Sequence, residues 1–136
     1  MADTEGITYS EYKDDSQIEV VKKIMEEYLS EPYPVYTYRY FLSTWPELSI
    51  LAMKGEECIG CIVSKVSPQK NTGMLKGYIA MLAVEKEYRR LGIGRKLVQL
   101  SLDKMKKMGV GECVLETETE NQAALKLYES LSSLLS

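Results

Sequence analysis

The stretch Gly77-Tyr78-Ile79-Ala80-Met81-Leu82-Ala83-Val84-Glu85-Lys86-Glu87-Tyr88-Arg89-Arg90-Leu91-Gly92-Ile93-Gly94-Arg95-Lys96 decides how this chain reads. From Tyr78 to Val84 it is apolar and of strand length, with β-branched residues at two positions. A polar link and two glycines follow. Beyond them Val98, Leu102, Met105 and Met108 recur at spacings of four and three, which is a helical stripe. The order is therefore strand, tight glycine turn, helix. Glycines let backbone approach a ligand, and the first N–H groups of a helix point outward unpaired. With the helix dipole and Arg89, Arg90 and Arg95 nearby, the turn is a seat for a phosphate or pyrophosphate.

Three nucleotide-binding patterns compete for it, beside a plain glycine turn. A P-loop needs four residues between its glycines and then Gly-Lys-Ser/Thr, which the stretch lacks. A dinucleotide fingerprint needs a third glycine where Leu97 stands. The spacing Arg89-x-x-Gly92-x-Gly94 instead resembles the acetyl-CoA loop of the GNAT N-acetyltransferases, whose amides hold the pyrophosphate of coenzyme A.

Downstream, Met108-Gly109-Val110-Gly111 ends the helix with a glycine suited to a left-handed cap. Cys113 to Glu118 is the next strand and, reached through a helix, should lie parallel to the first. Asn121 then caps a last helix with Ala124, Leu125, Tyr128 and Leu131 on one face. Upstream, Ile7 to Tyr12 alternates weakly and reads as the first strand. Ser16, with Glu19 three residues on, forms a capping box for a helix whose apolar face is Val21, Ile24 or Met25, and Tyr28. That helix should end near Ser30, because Pro32 and Pro34 disfavour helical geometry before them.

A tyrosine-dense segment follows: Tyr33, Tyr36, Tyr38, Tyr40, Phe41 and Trp45. Tyr36, Tyr40, Phe41 and Trp45 share a helical face, which reads as a short helix packed on the core. So many rings with polar tips also suit a groove for an extended peptide. Ser49 to Met53, the turn Lys54-Gly55-Glu56, and Cys58 to Val66 form a β-hairpin, and Pro68 to Gly73 is a polar loop.

The 136 residues are enough for one domain, and 45 % hydrophobic with 27 % charged content is that of a soluble globular protein. A net charge of −3 argues against general binding to nucleic acid or anionic membranes. From the acidic, polar start no signal peptide is expected, and no apolar run approaches the ~18 residues of a membrane span. A cytoplasmic protein is expected. Cys58-Ile59-Gly60-Cys61 has metal-ligand spacing, but positions three apart on a strand face opposite sides. Without any histidine, the cysteines read as small core residues and no metal site is expected.

Further segments sharpen the resemblance. Ser30-Glu31-Pro32-Tyr33, Tyr38-Arg39-Tyr40-Phe41-Leu42, Trp45-Pro46-Glu47-Leu48, Gly60-Cys61-Ile62-Val63 and Gly77 to Val84 look like the catalytic subunits of the N-terminal acetyltransferase C (NatC) complex. Those enzymes modify the α-amine of nascent chains. The resemblance runs from Tyr9 to Glu129. It implies an α/β GNAT fold, with a mixed, mostly antiparallel sheet and flanking helices, over residues 1–136. It implies acetyl-CoA as cofactor, held by Leu82, Ala83, Val84, Arg89, Arg90, Leu91, Gly92, Ile93, Gly94, Arg95, Asn121 and Tyr128. It places Glu116 as the general base acting through water, and Tyr128 as the donor to the departing sulfur. Glu31 would stand near the α-amine, with Pro32, Tyr33 and Tyr78 lining a pocket for methionine followed by a bulky apolar residue. Nascent peptide N-termini, auxiliary subunits and the ribosome are the implied partners, without DNA or membrane.

Taken alone, Glu116 reads equally as solvated surface, Tyr128 as a packed ring and Asn121 as a plain N-cap. The chemistry asks little of the base, since an α-amine with a pKa of ~7.7–8.0 is partly neutral near pH 7.

The pattern departs at the end. After Leu127-Tyr128-Glu129 the family continues with glycine, phenylalanine and two more strands, where this sequence has Ser130 to Ser136. The expectation is a shortened C-terminus that lacks the last strands and leaves the Cys113–Glu118 strand as an open edge. Two other functions stay open at this point. One is a non-catalytic acetyl-CoA-binding or regulatory module. The other is an acetyltransferase for a lysine or a small amine.

Overall fold

A computed structural model describes residues 2–3, 6–28, 33–89 and 91–115. The apolar run forms strand β5, Leu75–Val84. It is covered on both faces, which is why its sequence does not alternate. On one side it pairs antiparallel with β4, Glu57–Pro68, and on the other parallel with β6, Glu112–Leu115. Beyond β4 lie β3, Ile50–Lys54, then β2, Ile7–Glu11, and β1, Ala2–Asp3, all antiparallel. Strand order in space follows order in the chain. This is the mixed, mostly antiparallel sheet expected from the sequence.

Helix α3, Ile93–Lys107, covers one face. Ile93, Leu97, Val98, Leu102 and Met105 pack with Ile62, Val66, Ile79 and Leu82 of the sheet. Burial of each such aliphatic side chain contributes roughly 1.5–3 kcal/mol. Ser101 is buried in the same interface and donates to Ser64 of β4 across 3.1 Å. The helix ends as its sequence foretold: Gly109 takes φ 90°, and Val110 N donates back to Met105 O at 3.0 Å.

Helices α1, Ile18–Tyr28, and α2, Val35–Thr44, cover the other face. Ile18, Val21, Ile24 and Met25 meet Leu51, Cys61, Val63, Ala80, Met81 and Ala83 there. The start of α1 differs from the expected capping box. Asp14 caps a 3-10 turn, Asp15–Gln17, by accepting from Ser16 N at 2.9 Å, and it also accepts from the Ser16 hydroxyl. A carboxylate can satisfy both donors at once, so Ser16 becomes a donor rather than the cap.

The tyrosine helix is also turned from its expected face. Tyr38 and Leu42 are buried, whereas Tyr36 is 72 % and Tyr40 52 % exposed. Tyr40 instead stacks edge-on with Phe41 and Trp45. Two faces of this helix carry rings, so periodicity alone could not choose between them.

Two β-bulges interrupt the sheet. In the β3–β4 pair, Ala52 opposes Gly60 and Met53 opposes Cys58, which makes Ile59 the extra residue. This bulge corrects the cysteine reading, because it puts Cys58 and Cys61 on the same face, both toward α1 and α2. Burial pushes the Cys58 thiol up to about 11 and the Cys61 thiol well above its ordinary value. In the β4–β5 pair, Val63 opposes Met81 and Ser64 opposes Ile79, which makes Ala80 the extra residue.

Among the described residues no helix is long and apolar enough to cross a membrane. The last helix expected from Asn121, the end of α1 near Ser30, and the open edge expected at the C-terminus lie outside the described residues.

Candidate functional site

β5 is bulged midway, at Ala80, and leads from there toward the glycine turn. Along the strand Ile79 and Leu82 face α3, while Ala80, Met81 and Ala83 all face α1 and α2. Two successive residues on one face break the pleat and release backbone polar groups from the ladder. The described pairing with β6 runs as far as Ile79 opposite Leu115. Among the described residues, β5 from Ala80 to Val84 pairs with β4 alone.

The chain leaves β5 under tight control. Glu85 N donates to the carbonyl of the other bulge residue, Ile59, at 2.8 Å. A single 3-10 turn, Lys86–Tyr88, follows, and Arg89 Nε donates back to Val84 O at 3.1 Å. Lys54 sits over the Tyr88 ring at 5.3 Å and ties this turn to the β3–β4 hairpin.

Gly92 then reverses the backbone with φ 82° and ψ 11° and serves as the N-cap of α3 without any side-chain cap. A left-handed residue is costly for anything but glycine, while a Cβ added here would meet nothing within 4 Å. The need for glycine is thus conformational, and the space above the turn is open. The first helical hydrogen bond closes from Lys96 N to Gly92 O at 3.0 Å. The amides of Ile93 and Gly94 precede it, in the first turn, where the helix offers no carbonyl four residues back. They carry the positive end of the helix dipole, with Arg89 and Arg95 beside them. These residues fit a pyrophosphate, and the strip of β5 that leads to them fits an extended arm bearing amides.

The structure thus gathers Leu82, Ala83, Val84, Arg89, Leu91, Gly92, Ile93, Gly94 and Arg95 at one end of β5. The side chains of Leu82 and Ile93 are buried in the core, so their part is played by backbone. Tyr78 stands two residues before the bulge, on the face toward α1 and α2. Tyr33 meets the Tyr38 ring edge-on, with centroids 6.2 Å apart. Tyr38 is fully buried, and its hydroxyl has no hydrogen-bond partner among the described residues. Burial, reinforced by the charge of Glu26, pushes it up to about 12. Glu31, Pro32, Arg90, Glu116, Asn121 and Tyr128 lie outside the described residues.

Lys65 and Lys76 escaped the sequence reading altogether. Lys65 stands across the ladder from Tyr78. Its Nζ lies 5.0 Å from the ring centroid, and that of Lys76 lies 5.8 Å away. Strand alternation sets Lys76 beside Tyr78, and the strand register adds Lys65.

Residues 18–132 match the model of the Acetyltransferase (GNAT) family. The chain belongs to that family. It is 48 % identical over 124 residues to N-alpha-acetyltransferase 30 of Saccharomyces cerevisiae, covering 88 % of this chain and 70 % of that protein. It is 49 % identical over 125 residues to N-alpha-acetyltransferase 30 of Homo sapiens, covering 92 % of this chain and 34 % of that protein. The same share of this chain spans 45 % of the Xenopus laevis protein of that name. Against the crystal structure of the NatC complex bound to Gag peptide and CoA, the TM-score is 0.85 at 46 % identity, over 92 % of this chain and 82 % of that one. Ribosomal-protein-alanine N-acetyltransferase from Brucella melitensis shares the fold, with a TM-score of 0.75 at 16 % identity over 93 % of this chain and 90 % of that one.

Proposed function

We propose that this chain is a peptide N-alpha-acetyltransferase. It moves acetyl from acetyl-CoA to the N-terminal amine of a protein, favouring methionine followed by a bulky apolar residue. The observation that carries the reading is a strand bulged at Ala80 that leads, through one 3-10 turn, to a helix start at Gly92 without a side-chain cap. The similarity to N-alpha-acetyltransferase 30 over most of this chain supports the peptide substrate. Auxiliary subunits like those of NatC, the ribosome and a cytoplasmic setting belong to the same reading, as does a single acetyltransferase domain over residues 1–136.

Acetyl-CoA, when bound, supplies an activated thioester. The amides of Ile93 and Gly94 and the Arg89, Arg90 and Arg95 side chains hold the pyrophosphate. Backbone groups of Leu82, Ala83 and Val84, with Asn121, align the arm. Amides of β5 near Leu82 would be the donors available to the acetyl carbonyl oxygen. Glu31 receives the α-amine, and Pro32, Tyr33 and Tyr78 line the pocket for the first residues. Glu116 would take the first proton of the ammonium through water. As nitrogen bonds to the acetyl carbon and the carbon–sulfur bond breaks, Tyr128 would give a proton to the departing sulfur and regain one from the newly acylated nitrogen through water. The amine itself titrates near neutral pH, so only modest help is asked of the base.

The test is turnover on three acceptors: a Met-Leu peptide with a free amine, the same peptide N-blocked with an internal lysine, and a small polyamine. Acetylation of the first alone is expected. Transfer only to lysine or polyamine, or acetyl-CoA binding without any transfer, would overturn the reading.

A further inference from the structure

The proposed reaction leaves one cluster of charge unused, on the hairpin of β4 and β5. Gly77 turns toward Met105 of α3, so Lys76 and Tyr78 point to the opposite face. Lys65, directly across from Tyr78, shares that face. Both ammoniums lie within the ~6 Å at which an aromatic face attracts a cation, so one ring orients two lysines. Their charge is poorly compensated. Lys76 has Glu112 at 4.0 Å, but that side chain is 61 % exposed and also accepts from Gln69 Nε2 at 3.4 Å. Among the described residues no carboxylate lies within ion-pair distance of Lys65. Among the described residues, two ammoniums thus share one exposed carboxylate, on a chain whose net charge is −3.

The position of this cluster relative to the bulge gives it a use. Tyr78 and Lys76 are two and four residues before Ala80, about 7 and 13 Å along a strand. An extended peptide advances by the same rise per residue. With its amine at the bulge and its chain running back along this face, its third residue reaches the ring and its fifth reaches Lys76. We propose that Lys65 and Lys76, held over Tyr78, are specificity-determining residues that favour substrates with aspartate or glutamate at the third to fifth positions. The inference rests on the peptide N-acetyltransferase reading. Pinning both lysine stems on the ring reduces the side-chain freedom lost when an acidic residue binds.

The experiment compares three peptides that begin Met-Leu and carry Asp-Glu-Asp, Ala-Ser-Ala or Lys-Arg-Lys at positions three to five. Turnover and fluorescence-anisotropy binding are measured for the native chain and for K65Q/K76Q. The acidic peptide is expected to show a KM about three- to tenfold below the basic one with similar kcat. The ratio should shrink from 50 to 300 mM salt, as screening shortens the reach of the ammoniums. In K65Q/K76Q the ratio should fall to about one. Equal KM for all three peptides, or a ratio that survives the double substitution, overturns the inference and leaves the lysine–tyrosine stack as packing. Selective binding of the acidic peptide without turnover of any peptide would sustain the inference and sink the catalytic reading. Turnover of the neutral peptide without selectivity would do the reverse.

Discussion

Gly60 of β4 lies directly beneath Ile93, the first residue of α3: a methyl group added to Gly60 would stand 3.2 Å from Ile93 Cγ2 and 3.3 Å from Leu97 Cδ1. Both neighbours are fully enclosed, so neither can swing into solvent. Gly60→Ala should lift the start of α3, costing ~1–3 kcal/mol of stability as overpacking does. The same shift displaces the amides of Ile93 and Gly94, so acetyl-CoA affinity should fall with Tm. Unchanged affinity by calorimetry, in a protein that melts earlier, would mean that the helix start is not set by the strand below it.

Gly92 offers the contrasting case. Its φ of 82° forbids ordinary side chains, but the space around it is open. Gly92→Val should cost ~1–3 kcal/mol through backbone strain and should abolish acetyl-CoA binding as the turn opens. If calorimetry shows native affinity for this variant, the cofactor seat lies elsewhere.

Glu116 follows directly on Leu115, whose partner on β5 is Ile79, next to the bulge. Glu116→Gln should keep cofactor affinity and lose most of the rate at pH 7. The deficit should shrink as pH rises and the amine loses its proton unaided. A pH-independent deficit would make the residue a positioning group, and an unimpaired variant would remove it from the mechanism.

Alkaline stability follows from buried hydroxyls and thiols. Burial raises Tyr38 and Tyr12 from 10.0 to about 12, and Cys113 from 9.0 to about 12. The folded chain holds these protons after the unfolded chain has released them. Stability from this source is complete below pH 9, falls as pH rises through 9 and 10, and is gone above 12. Tm should therefore drop steeply between pH 9 and 11. Tyr38→Phe, which removes a buried hydroxyl with no partner among the described residues, should flatten the drop and cost little at pH 7. A Tm profile identical to that of the native chain would show that Tyr38 keeps its usual pKa.

Much of this architecture is legible in one dimension because it rests on periodic signals. The α3 stripe of Val98, Leu102 and Met105, the Gly109 cap and the β3–β4 turn each follow from spacing and residue type. The bulges do not. Strands buried on both faces have no alternation to lose, so an extra residue at Ile59 or Ala80 leaves no trace in the sequence. The shared face of Cys58 and Cys61 follows from the first bulge, and the break in the pleat of β5 at Ala80 is the second. The exposure of Tyr36 and Tyr40 is not legible either, because both faces of α2 carry rings. The stack of Lys65 and Lys76 on Tyr78 needs the hairpin register, which local sequence does not encode.

The buried pair Ser64 and Ser101 makes the docking of α3 all-or-none. Apart from the ion pair of Lys104 with Glu11 at its outer edge, the described contacts of the helix with the sheet are apolar surface, which tolerates small slides. Sliding or rotating by one turn would strand two hydroxyls in a dry interface, each at ~1–3 kcal/mol. Near-miss arrangements are thereby thinned out of the ensemble, although the hydrogen bond adds little net stability. Replacing both serines with alanine would give a protein that melts near the native temperature but samples several helix placements. The loop at its head would then be built slightly differently in each molecule.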